Sequence, residues 1–116
     1  MSVLANACDC HMHIFGDPAM YPPATWRAYD PVPLGLDRYD KEAARMGFAR
    51  VVFVQPSAYG TDNSCMLAAL LARGPTSRGV AVIDDATSET TLVVLPAAGT
   101  IGVRLNLGGN GIPRPA

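Results

Sequence analysis

Lysine is almost missing from this chain of 116 residues: Lys41 stands by itself, and the other basic residues are arginines spread along the sequence. With a formal net charge of -1, no basic patch is available for nucleic acid or an anionic membrane surface. Charged residues make up 16% and hydrophobic residues 49%, a globular rather than a disordered balance. No apolar run approaches the roughly 20 residues that a membrane span takes, and no basic segment leads into an apolar one near Met1. A cytoplasmic location with no membrane partner is therefore expected. Cys8, Cys10 and Cys65 are odd in number and lack a C-x-x-C pair, which disfavours a disulfide framework and structural zinc. All three read as small buried residues. Also missing are a glycine-rich phosphate loop, a G-x-S-x-G elbow and an H-E-x-x-H helix, so three familiar chemistries drop out.

What is present is a rhythm of strands and helices. Strands are predicted at Ala7–Phe15, Arg50–Gln55, Arg78–Asp84 and Ile101–Leu107. Several are apolar on both faces, as parallel strands covered by helices are. The intervals leave room for one helix per crossover. The first is expected at Leu36–Gly47, with Gly47 as its stop, and the second follows a cap at Asp62 or Asn63 and ends at Gly74. Met66, Leu67, Leu70 and Leu71 form the second helix's inner stripe. Ser88–Ala98 is rich in β-branched residues and holds Pro96, so by itself it passes for a strand; the alternation assigns it as the third helix. The fold class is α/β, in one small domain. Gly16 to Gly35 is a long proline-rich loop of the kind that binds or covers ligands.

Asp9-Cys10-His11-Met12-His13 holds both histidines of the chain. Strand alternation puts Asp9, His11 and His13 on one face, at the strand's C-terminal end, where parallel α/β folds build their sites. The pair reads as a metal half-site, as electrophiles polarising a carbonyl, or as satisfied core histidines. In the fourth strand Ile101, Val103, Leu105 and Leu107 share one face and Gly102, Arg104 and Asn106 the other. An inward Arg104 suits a carboxylate or phosphate, or equally an ion pair with Asp9 or Asp84. Ser57 precedes a helix N-terminus and serves either an anion or a turn. Tyr29 and Tyr59 are candidate donors to a bound carboxylate, and one of Asp84 and Asp85 reads as a helix-start residue.

Four segments together carry a family resemblance: Asp9 to Gly16, Val54 to Asn63, Arg78 to Asp84, and Gly102 to Asn106. They resemble the amidohydrolase superfamily, and within it the pyrone dicarboxylate lactonases and related "amidohydrolase 2" proteins. The resemblance implies a (β/α)8 TIM barrel with its site at the C-terminal mouth. It implies that His11 and His13 are the catalytic pair, binding a divalent metal such as zinc or manganese in some members and polarising a lactone carbonyl without metal in the lactonase branch. Tyr29, Ser57 and Arg104 match positions that hold substrate carboxylates. The water-activating aspartate, a further histidine and more arginines belong to later strands.

A (β/α)8 barrel takes about 250 residues, and this chain has 116. The expectation is a partial barrel of about four parallel strands and three helices over residues 1–107, with an irregular tail at 108–116. By the resemblance it is expected to be a lactonase-like hydrolase half, metal-free in the first reading. Two other readings stand beside it: an inactive fragment that binds an anion or a partner chain, and half of a metal-dependent enzyme. A small anionic substrate is expected, as is a partner, either a second copy or a complementing C-terminal half. Val51, Phe53 and Val82 are expected on the face left open to that partner.

Overall fold

The structure, a computed structural model, describes residues 6–106. Four parallel strands stand in chain order: β1 (Cys8–Met12), β2 (Arg50–Val54), β3 (Ser77–Val82) and β4 (Thr100–Arg104). Each crossover carries one helix: α1 (Leu36–Met46), α2 (Ser64–Arg73) and α3 (Glu89–Ala97). The α/β class and the four-strand, three-helix count hold as the sequence rhythm has them.

Local chemistry accounts for the helix ends. α1 stops at Gly47, whose φ of 86° suits a residue without a Cβ, and its N–H reaches back to Ala43 and Ala44. α3 starts at Ser88, whose hydroxyl accepts the Thr91 N–H at 3.2 Å. Pro96 falls in its last turn, so the helix it would interrupt ends one residue later, and the β-branched run is helical because the crossover requires it. Asn63 does not cap α2 with its side chain; Asp62 Oδ1 instead accepts the Ser64 N–H at 3.1 Å.

The strands are shorter than predicted. β1 ends at Met12, and Phe15 leaves the sheet to form an antiparallel bridge with Leu34. β3 ends at Val82 and β4 at Arg104, while Leu107 and the proposed 108–116 tail lie outside the described residues.

The core lies between the sheet and the helices, where Val51, Phe53 and Ala81 meet Tyr39, Ala43, Met66 and Leu70. This corrects the expected open face: Phe53 is 0% exposed, Val51 1% and Val82 3%. Val51 and Phe53 occupy the helix side, so with a period of two the opposite face belongs to Val52 and Val54. Leu71 leaves the predicted stripe, being 86% exposed, because α2 buries Cys65, Met66, Ala69 and Leu70 instead. Cys65 is buried as expected, whereas Cys8 is half-buried and Cys10 exposed. Ile101 and Val103 are exposed, since β4 pairs with β3 and with no other described strand.

Candidate active site

The histidine strand is not regular. Asp9 pairs with Val51 and Met12 with Phe53, so β1 spends three steps where β2 spends two. That is a β-bulge, with one extra residue opposite the partner strand. Asp9 therefore lies on the helix side, where its Oδ2 accepts the Tyr39 hydroxyl at 3.1 Å. Past the bulge the alternation restarts. The His11 and His13 rings meet edge-on with centroids 5.1 Å apart. The predicted row of three is split: two imidazoles stay together and the carboxylate leaves them.

His13 Nδ1 lies 2.7 Å from the Val54 carbonyl oxygen. A carbonyl can only accept, so Nδ1 carries the proton. Neutral His13 then presents a bare Nε2, and only its imidazolium form donates from that atom. Arg104, arriving from β4, donates from Nη1 to the next carbonyl along, that of Gln55, at 3.3 Å. The opposing faces of the expected β4 pattern are confirmed here: Arg104 is half-buried and pairs with Val82, whereas Val103 pairs with Ala81. His13 and Arg104 are thus brought to one end of the sheet.

Gln55 was not singled out in the sequence, yet it organises this end. Its side chain is fully buried, and its amide donates to Gly60 O at 3.2 Å and Asp62 O at 2.7 Å, closing the loop that carries Ser57. Asn63 does the same for β3: it donates to Val82 O and accepts Val82 N–H, both at 3.0 Å. Neither role is visible in the sequence, because an amide reads equally well as a cap or a surface residue.

Ser57 starts a short 3-10 turn beside these carbonyls and is half-buried. Tyr59 is buried and accepts the Gly16 N–H at 3.0 Å, so it braces the long loop rather than facing a ligand. Burial pushes its hydroxyl pKa up. Tyr29 is set one ring further out: it meets Phe15 edge-on at 6.3 Å, and Phe15 meets His13 at 6.1 Å. It borders a groove of about 410 Å³ with Phe15 and Arg38. The helix-start role expected of Asp84 or Asp85 falls to Ser88 instead, and Asp84 accepts the Ala86 N–H at 2.9 Å within a turn. Neither it nor Asp9 forms the alternative ion pair.

Among the described residues no group of three histidines, cysteines or carboxylates gathers to hold a metal ion. Two imidazoles remain once Asp9 faces the helices, which does not complete a site by itself. A cavity of about 490 Å³ lies at the other end of the strands against Pro75, Ser77 and Pro96, away from the histidines. No helix among the described residues is long and apolar enough to cross a membrane.

The amidohydrolase family model matches residues 8–116. The chain is similar to a 2-pyrone-4,6-dicarboxylate hydrolase of Comamonas testosteroni, at 37% identity over 88% of this chain and 33% of that protein. A 4-sulfomuconolactone hydrolase of Rhizobium radiobacter is 34% identical over 85% of this chain and 33% of its own length. Among solved structures, a probable 2-pyrone-4,6-dicarboxylic acid hydrolase from Acinetobacter baumannii, with citric acid bound, superposes with a TM-score of 0.80. It shares 33% identity, over 96% of this chain and 40% of that one. The four strands and three helices are therefore part of a (β/α)8 arrangement. The chain spans about a third of the length of the curated relatives it matches.

Proposed function

Because the chain belongs to the amidohydrolase family, we propose that it serves a cytoplasmic hydrolase that opens a small carboxylated lactone. His11 and His13 are the catalytic pair, and Arg104, Ser57 and Tyr29 take the substrate's carboxylates. One observation carries the reading: His13 and Arg104 bond to consecutive carbonyls of the Val54–Gln55 segment. A carbonyl-polarising group and an anion-binding fork then face one small ligand.

In this mechanism a water oxygen bonds to the lactone carbonyl carbon and the ring C–O bond breaks. The ring oxygen leaves with a proton, giving an open-chain acid. The imidazole N–H groups stabilise the negative charge that develops on the carbonyl oxygen. For His13 the donor is Nε2–H of the imidazolium, since Nδ1–H is spent on Val54. Arg104 fixes the substrate by its carboxylate, turning a bimolecular encounter into an oriented one. This reading uses no metal. Stoichiometric zinc or manganese in protein purified without chelator would overturn that point.

A second reading, an anion-binding chain without turnover, is favoured by a different fact: no described carboxylate bonds to either imidazole ring. The decisive assay measures hydrolysis of a carboxylated lactone by the chain, with and without a C-terminal complement taken from a relative. Turnover that disappears on changing both His11 and His13 to alanine supports the first reading. Turnover that survives the change removes the histidines from the chemistry, and citrate binding without any turnover supports the second.

A further inference from the structure

The proposed chemistry leaves Asp9 unused, although both its oxygens are engaged. Oδ1 accepts the His11 backbone N–H at 3.2 Å, and Oδ2 accepts the Tyr39 hydroxyl at 3.1 Å. The first bond runs from one residue to the second after it, the way an aspartate bends its own backbone. It falls inside the bulge, where the extra residue leaves a backbone N–H outside the ladder. The second bond ties the carboxylate to a fixed point. Tyr39 is buried, meets Phe53 edge-on at 6.0 Å and lies under the Arg73 guanidinium at 5.7 Å. Arg73 is itself paired with Asp40.

The direction of the side chains gives this arrangement its meaning. Asp9 pairs with Val51, which is in the core beneath the helices. Strict alternation from Asp9 would carry His11 and His13 to that same buried side. The extra residue of the bulge sends them to the other side, where His13 reaches the Val54 carbonyl. We infer that Asp9 is a positioning residue: it pins the bulge between the His11 N–H and Tyr39, and so delivers both imidazoles to the mouth. The inference deepens the hydrolase reading and rests on it for its consequence in catalysis. Its geometry is measurable without turnover, so the two fail separately.

The test is NMR on the full chain, reading the contact between the His11 and His13 rings and hydrogen exchange at the His11 amide. Asp9→Ala is expected to abolish the ring contact and to speed His11 exchange about tenfold or more. Asp9→Asn keeps an oxygen for the His11 N–H and is expected to retain the contact. A folded Asp9→Ala protein with contact and exchange unchanged overturns the inference, as does a loss in Asp9→Asn as complete as in Asp9→Ala. Should Asp9→Ala not fold, Tyr39→Phe decides, since it keeps the ring and removes the hydroxyl. Faster His11 exchange there supports the pin, and unchanged exchange overturns it.

Discussion

His13, one residue past the end of β1, and Arg104, the last residue of β4, bond to neighbouring carbonyls, His13 to Val54 and Arg104 to Gln55. Two consecutive peptide units at the end of β2 are the point on which both groups are aligned. Neither bond needs a ligand, so both groups are held in place in advance, which would lower the ordering cost of the proposed binding.

The Val54 bond fixes the His13 tautomer. Nitrogen-15 NMR of the neutral ring is expected to show a protonated Nδ1 and a bare Nε2. A dominant Nε2–H form would mean that the bond to Val54 is not made, and it would remove the argument that His13 polarises a carbonyl as an imidazolium.

Arg104→Lys keeps the charge and loses the planar fork. It is expected to weaken binding of citrate or a dicarboxylated lactone about tenfold or more, read by calorimetry, with little change in the unfolding midpoint. Equal affinity in the lysine variant would show that the charge by itself suffices.

Asn63→Ala leaves both Val82 backbone groups without partners in a buried setting. A loss of about 2–6 kcal/mol in denaturant unfolding is expected, since each unmet buried group costs about 1–3 kcal/mol. Asn63→Asp is expected to destabilise too, because a carboxylate cannot donate to the Val82 carbonyl. A loss within about 0.5 kcal/mol for the alanine variant would assign the residue a surface role.

Burial raises the Tyr39 hydroxyl above its ordinary value, with the Asp9 charge and hydrogen bond adding, and burial raises that of Tyr59. Unfolding releases both to ionise near pH 10, roughly the free phenol value. Their stabilisation is therefore complete below about pH 10 and is lost as pH rises toward the folded-state values. Unfolding free energies measured across that range should fall with pH, and the slope should be shallower in Tyr39→Phe. An identical slope in the variant would place the alkaline sensitivity elsewhere.

Ile101 is 66% exposed and Val103 52% on β4, which pairs with no second strand among the described residues, and Val93 on α3 is 72% exposed. Exposed apolar groups on an open strand edge invite pairing. In sedimentation the purified chain is expected to self-associate with rising concentration. Val93→Lys together with Ile101→Lys should shift it toward the monomer. A wild-type monomer at all concentrations would show that this edge is tolerated in water.

The alternation of apolar runs with helical spacing determined the parallel α/β architecture, because parallel strands need a covering crossover between them, and that rhythm assigned even the strand-like Ser88–Ala98 stretch to a helix. The same reading placed His11, His13 and Arg104 at strand ends, and the end of a parallel strand follows directly from the chain's direction. Gln55 and Asn63 stayed illegible, since what an amide bonds depends on which carbonyl another segment brings to it. The expected exposure of Val51 and Phe53 failed on parity: alternation separates two faces without saying which one the helices cover.

Asp9 shows where the division falls. The sequence supplied a carboxylate two residues before a histidine pair, and regular alternation set all three on one face. Only the packed structure decided otherwise, because the bulge is made by a register between distant strands and by Tyr39 arriving from a helix. Which residues can do chemistry was written locally; which side of the sheet they reach depended on contacts that no local stretch contains.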